Sequence, residues 1–374
     1  MISLNIQYRM TDMEKVCEKK RQERNGALDL IRIIACTGIL YLHYRTYLSP
    51  DGVLWGDTLI TAENSGIDLR CFVEVFFVIS GYLIYPHIER IKKKAGVLDF
   101  MRPRLWRILP MLVLGTLLYQ FLSWRLLATG EAVSYTQSTL WGMISSGLGV
   151  QEGWSFINTH INPESWFLDV LLLCYLFFYI LVRLGEKTKI NCCWGFAFMV
   201  LLGASCVSRE SELPFLGYMA GRGYEALFGG VLLAVFLKEK NTGKQKYVVS
   251  VIILAVYLLY HIFAPWLLVF GKYYLMAFFV APALIVIAES ETAKKCFHWK
   301  GYSSFAKITF STYVLHTCTL LGIRNLTQII GINVDYSHEA LLVAYILIAY
   351  FCGTLAYFAV ERPLSSRIKR KNAG

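Results

Sequence analysis

Long apolar runs, separated by short polar and mostly basic stretches, fill the chain from residue 27 to residue 360. Taking windows of roughly 17–25 apolar residues as membrane spans gives ten, near 27–47, 70–88, 108–123, 164–183, 193–208, 214–237, 247–264, 272–289, 308–327 and 340–360. The runs are continuous rather than alternating, which excludes a β-barrel. The predicted class is therefore an all-α polytopic membrane protein, a bundle of about ten transmembrane helices. The stretch LWGMISSGLGV, within residues 124–163, is too short to span and reads as an interfacial or re-entrant piece.

Composition agrees. Of 374 residues, 56% are hydrophobic and only 17% charged, against roughly 25% charged in soluble domains. The net charge of +11 raises the question of nucleic acid, and its distribution answers it. With the N-terminus placed inside, 29 of the 37 Lys and Arg residues fall in the tails and in the loops on that side. This is the positive-inside pattern, and it predicts cytoplasmic N- and C-termini of a multi-pass protein of the cell membrane, in contact with lipid and not with nucleic acid. One transmembrane domain, 27–364, is expected between a basic tail 1–26 and a basic tail 365–374, with no cleavable signal in the first 26 residues. The ten cysteines form no CxxC pair and read as small packing residues. The adjacent Cys192 and Cys193 have no ligand partners nearby, and no metal site is expected.

Charges inside spans change the picture, because each costs about 2.5–3.5 kcal/mol on insertion scales and marks a functional or paired group. The first span, ALDLIRIIACTGILYLHYR, holds Arg32 and His43 eleven residues apart. At 100° per residue that spacing is three turns plus about 20°, so both lie on one helix face about 16 Å apart along the axis. Arg32 then sits towards the cytoplasm and His43 towards the far leaflet; the alternative is snorkelling of both to the interfaces. In the next span, FVEVFFVISGYLIYPHI, Glu74 falls at about the depth of His43. A carboxylate beside an imidazole suits a general base, and a structural pair is the alternative. Arg104 and Arg107, spaced i, i+3 at the cytoplasmic surface, suit bidentate recognition of phosphate, or are ordinary positive-inside charge.

These residues resemble the acyltransferase 3 family of integral-membrane O-acyltransferases. Arg32 and His43 match its first-helix Arg/Lys, ten residues, His signature. Glu74, Phe76, Phe77, Ser80 and Gly81 match an acidic residue followed by FFVxSGyLI. Arg104, Arg107 and Pro110 match an RxxR element running into proline. Trp166, Phe167 and Leu168 look like the start of the fourth helix; Arg222, Glu225 and Gly229 like a later one. Ser311, Tyr313 and His316 match SxYxxH, and Glu361 to Leu364 the closing ERPL. Each fragment is weak, but seven in order are together specific. One position departs: the Glu that many members carry five residues after the Trp is Leu171 here, with Asp169 on another face. The short stretch after the last span leads to the expectation of a stand-alone member, without the hydrolase-like domain fused to some relatives.

The resemblance implies transfer of an acyl group, most simply acetyl, from cytoplasmic acyl-CoA to a hydroxyl of an extracytoplasmic glycan or lipid-linked sugar, with no tightly bound cofactor. The expected roles are His43 as general base oriented by Glu74, with an acyl-histidine relay as the alternative. Arg32, Arg104 and Arg107 are expected on the CoA phosphates. Ser80 and His316 are expected along the substrate path, although Ser80-Gly81 also suits close helix packing and His316 a satisfied core histidine. Arg222 and Glu225 are expected to neutralise each other. His87, His160, His298 and His338 carry no spacing signal. The competing class is a secondary transporter with ion-coupling charges, which predicts internal symmetry and matched broken helices; the sequence shows neither.

Overall fold

The computed structural model describes residues 25–49, 54, 68–93, 95–130, 139–154, 161–239, 243–263 and 271–371. The N-terminal tail up to residue 24, Trp55, Lys94 and His160 lie outside the described residues.

Helix α1, Gly26–Tyr47, begins where Asn25 accepts hydrogen bonds from the Ala27 and Leu28 amides and Asp29 sits in the first turn, the side-chain capping that helix N-termini favour. A 3₁₀ turn, Leu69–Cys71, leads into α2, Phe72–Ile84, and the short α3, His87–Lys92. Helix α4, Val97–Ala128, carries Pro103 and Pro110 in its interior. Helix α5, Leu140–Leu148, ends at Gly149 with φ 66°, a left-handed position that glycine occupies without strain. At nine residues it is the non-spanning piece expected from LWGMISSGLGV.

The 3₁₀ turn Pro163–Ser165 opens onto α6, Trp166–Thr188, followed by α7, Cys192–Ser208. An antiparallel pair, β1 Glu212–Leu213 and β2 Leu216–Gly217, links α7 to α8, Tyr218–Glu239. Then come α9, Gln245–Phe263; α10, Lys272–Leu275; a π turn, Met276–Val280; and α11, Ala281–Ala288. The chain closes with α12, Glu291–Cys296; α13, Lys300–Ile330; α14, Glu339–Ala356; a π turn, Tyr357–Glu361; and α15, Arg362–Lys371.

Each of the ten apolar windows falls on one of these helices or helix runs. Five helical segments are both long and apolar enough to cross a membrane: Gly26–Tyr47, Val97–Ala128, Pro163–Thr188, Tyr218–Lys238 and Glu339–Ser366. Cys192–Ser208, Gln245–His261 and Lys272–Ala288 are apolar but shorter. The windows 70–88 and 308–327 fall on α2 and α13, which are not among either set. Helix α2 has only 13 residues. Helix α13 has 31, but Thr309, Ser311, Thr312, His316 and Thr317 dilute its hydropathy, and all five are buried in the bundle. The outer surface is apolar, with Leu117, Phe121, Leu201, Leu347 and Phe351 exposed, as a surface solvated by lipid requires.

Two packed groups make the bundle. Helix α13 packs on α1, α4 and α14, while α8 packs on α2, α6 and α7; contact between α1 and α2 joins them. Helices α2 and α8 meet backbone to backbone. A Cβ on Gly81 would collide with the Leu227 carbonyl, and one on Gly230 with the Val78 carbonyl. Small residues at such a crossing let helices approach closely in a membrane. That crossing fixes the rotation of α2: Glu74, Val78 and Gly81 turn towards α8, and Phe76, Ser80 and Leu83 face the other way, as i, i+4, i+7 spacing dictates.

Candidate active site

At one end of α1, the ring of His43 stacks on that of His316 from α13, centroids 4.8 Å apart. His43 Nδ1 lies 2.6 Å from His316 Nε2. On the other edge of the ring, His43 Nε2 lies 3.1 Å from Glu164 Oε2, and the Tyr47 hydroxyl donates to Glu164 Oε1 at 3.1 Å. His316 is fully buried and His43 is 9% exposed.

The neighbours fix where the protons sit. His316 Nδ1 faces the Tyr313 carbonyl oxygen, which only accepts, so that nitrogen carries the hydrogen. In a neutral ring Nε2 is then a lone pair. It accepts from His43 Nδ1–H. His43, when neutral, is thereby held in the tautomer whose lone pair is on Nε2, the atom that faces Glu164.

Glu164 enters the site from the 3₁₀ turn ahead of α6, and a chain of buried polar groups holds that turn. Gln151 Nε2 donates to Ser165 Oγ, which donates to the Asn162 carbonyl, both at 2.7 Å. Asn162 Nδ2 donates to the Val314 carbonyl at 3.3 Å, and Asn162 Oδ1 accepts from Thr317 Oγ1 at 3.1 Å. The Tyr313 hydroxyl donates to the Glu164 carbonyl at 2.8 Å. Asp169 Oδ2 accepts from the Gln151 and Glu152 amides, each at 3.2 Å.

Arg32 lines a separate feature, a cavity of about 280 Å³ between α1, α2, α4, α6 and α13. Ser80, His87, Arg104, Arg107, Leu171, Tyr175 and Thr309 form its walls, and Phe76, Phe167 and Tyr313 lie at the end nearest His316. A second cavity of about 340 Å³ shares His87, Arg104, Arg107 and Tyr175 and adds Arg90 and Asp99. Arg32 lies 3.6 Å from Asp29. Arg107 Nε donates to Glu361 Oε1 at 3.0 Å, and Ser311 Oγ donates to Glu361 Oε2 at 2.7 Å, so three of the sequence fragments meet in one network. Among the described residues no carboxylate pairs with Arg104, which stacks on Phe100 at 3.8 Å and Tyr175 at 5.1 Å.

The pairings expected for Glu74 and for Arg222 are corrected. Glu74 does not orient His43. Both its oxygens are taken by Arg222, at 2.6 and 3.1 Å, because the Gly81–Gly230 crossing turns that face of α2 onto α8. Arg222 in turn is not neutralised by Glu225: its guanidinium is spent on Glu74, on the Arg70 carbonyl at 3.1 Å, and on the faces of Tyr273 and Trp166 at 4.1 and 4.7 Å. Neither carboxylate oxygen of Glu225 has a hydrogen-bond partner among the described residues. His316, expected along the substrate path, is buried and hydrogen-bonded to His43.

Glu164 is the residue that the sequence did not single out. Its signal was available: a lone carboxylate two residues before Trp166, at the lip of an apolar helix. Arg32, Ser80, Arg104 and Arg107 come together on one cavity as a set, and His43 lies beyond its aromatic end.

Comparison with known proteins supplies the family. An O-acetyl transferase of Shigella phage Sf6 is 29% identical over 243 residues, covering 63% of this chain and 69% of the phage protein. No solved structure matches. A family model described as an acyltransferase domain matches residues 25–361, nearly the whole described bundle, and the chain belongs to this acyltransferase 3 family of enzymes.

Proposed function

We propose that this membrane enzyme is an O-acyltransferase that moves an acyl group, acetyl above all, from acyl-CoA at the basic face of the membrane to a hydroxyl of a glycan or lipid-linked sugar at the opposite face. The carrying observation is the arrangement along α1: Arg32, with Arg104 and Arg107 of α4, lines a cavity at one level, and about three turns further on His43 meets Glu164 and His316 of α13. The similar phage protein, named for O-acetyl transfer, supports the choice of acyl group. The excess of Lys and Arg on one side supports cytoplasmic termini and about ten spans.

CoA carries phosphates at one end and its thioester at the other, so Arg104, Arg107 and Arg32 suit the first and the cavity leads the second towards His43. The acceptor hydroxyl donates to the lone pair of His43 Nε2, entering beside the Glu164 carboxylate. Its oxygen attacks the thioester carbonyl carbon as Nε2 takes the proton, and the resulting imidazolium is stabilised by Glu164 at one edge and held by His316 at the other. Collapse of the tetrahedral adduct breaks the C–S bond, and the proton on Nε2 passes to the departing sulfur. The products are an ester and CoA thiol.

Sealed vesicles of one orientation test the reading. Labelled acetyl-CoA supplied only at the face bearing Arg104 should yield labelled ester on glycan at the other face, with CoA thiol released on the first. Consumption of acetyl-CoA from the opposite face, or no consumption from either, would contradict it.

A further inference from the structure

The arginine cavity stops short of the histidines, and what stops it is a layer of three rings. Phe76 lies one helical turn beyond Ser80 on α2, Phe167 one turn beyond Leu171 on α6, and Tyr313 one turn beyond Thr309 on α13, each about 6 Å along its helix from a cavity wall. The three rings touch one another, with centroids 5.5 to 6.3 Å apart. On the far side of the layer, the ring of Tyr313 lies 5.5 Å from that of His316. Any thioester reaching Nε2 of His43 from the arginine side meets this layer first.

The rings are not held alike. Tyr313 is pinned by its hydroxyl on the Glu164 carbonyl, and Phe167 is packed edge-on against Phe77 at 4.6 Å. Both are buried. Phe76 is half-buried, has no polar anchor, and turns its free side to the cavity. It is the ring that an entering acyl group can displace or collide with.

We propose that Phe76 is a specificity-determining residue that admits short acyl groups and bars longer ones, by closing the donor cavity against the histidine pair. The proposal rests on the donor being acyl-CoA, as argued above. A two-carbon acyl group needs little more room than the layer yields when one ring turns. Each further methylene must find space in a packed aromatic contact. Discrimination of one methylene in an apolar site is typically roughly 10–200-fold, so butyryl and hexanoyl donors should be increasingly rejected.

The experiment uses membrane vesicles from cells that make the full chain, which contain the natural acceptor, with vesicles from cells lacking it as the blank. Acetyl-, butyryl- and hexanoyl-CoA are supplied in turn, and acyl ester on glycan is quantified by mass spectrometry. The wild type should prefer acetyl over hexanoyl by at least roughly 10-fold. Phe76→Ala should raise the butyryl-to-acetyl ratio of kcat/KM at least tenfold, and Phe76→Trp should lower it. Should Phe76→Ala fail to accumulate, Phe76→Leu carries the comparison. Equal use of all three donors by the wild type, or variants whose rates fall together with the ratio unmoved, would overturn the role of Phe76. Failure of the wild type to use any acyl-CoA would instead overturn the donor assignment.

Discussion

His43 Nδ1 stands 2.6 Å from His316 Nε2, and this contact decides which nitrogen of a neutral His43 keeps its lone pair. Because His316 Nδ1 is committed to the Tyr313 carbonyl, the second histidine serves as an acceptor that holds the first in a single tautomer. His316→Phe keeps a ring in the stack and removes the acceptor. It should lower kcat by roughly 10²–10³-fold, within the usual range for loss of a positioned proton-transfer group, and leave the KM for acyl-CoA near wild type. An unchanged kcat would remove His316 from the mechanism.

Glu164 is the partner on the other edge. Glu164→Gln keeps a hydrogen-bonding group without the charge that stabilises an imidazolium. It should lower kcat at least roughly 10²-fold, whereas Tyr47→Phe, which removes one bond to that carboxylate, should cost less. The order of these two effects, read from initial rates, checks the assignment.

Glu74 should behave differently. Its ion pair with Arg222 is fully buried, with side-chain exposures of 0% and 5%, so Glu74→Gln leaves an arginine without its counter-charge. Breaking a buried pair on one side costs about 3–5 kcal/mol. Thermal unfolding in detergent should show a strong loss of stability, with kcat per folded molecule retained. Replacing both residues by methionine should recover most of the stability. A Glu74→Gln enzyme that is stable but inactive would return Glu74 to the chemistry.

Arg104 and Arg107 share a cavity but differ in what they already hold. Arg107 is bound to Glu361, so Arg107→Ala should cost both stability and donor affinity. Arg104, stacked between Phe100 and Tyr175, should show the cleaner effect. Loss of a charge-assisted hydrogen bond of about 1.5–3 kcal/mol corresponds to a KM for acyl-CoA raised roughly 10–100-fold, with little change in kcat. Titration of acyl-CoA with each variant reads this directly.

The ten helical windows and the shared face of Arg32 and His43 were legible in the chain, because hydropathy and a 3.6-residue repeat are local properties. The partner of His43 was not. Sequence and topology give a side chain's depth, and depth alone points to Glu74. They do not give the rotation of α2, which the Gly81–Gly230 contact sets with a helix some 150 residues away. For the same reason the sequence pairs Arg222 with Glu225, its neighbour in the chain, while the fold pairs it with Glu74, its neighbour across the crossing. Glu164 escaped notice because a carboxylate at a span boundary looks like any interfacial residue until the Asn162–Gln151 network folds it inwards. His87 carried no spacing signal, and only the bend between α2 and α3 brings it beside Arg104.

The most direct measurement is the transfer rate of His43→Gln, in vesicles where acyl-CoA binding is measured in parallel. Base catalysis by Nε2 predicts donor binding like that of the wild type and ester formation slowed at least roughly 10²-fold. Normal ester formation by that variant at equal protein level would contradict it.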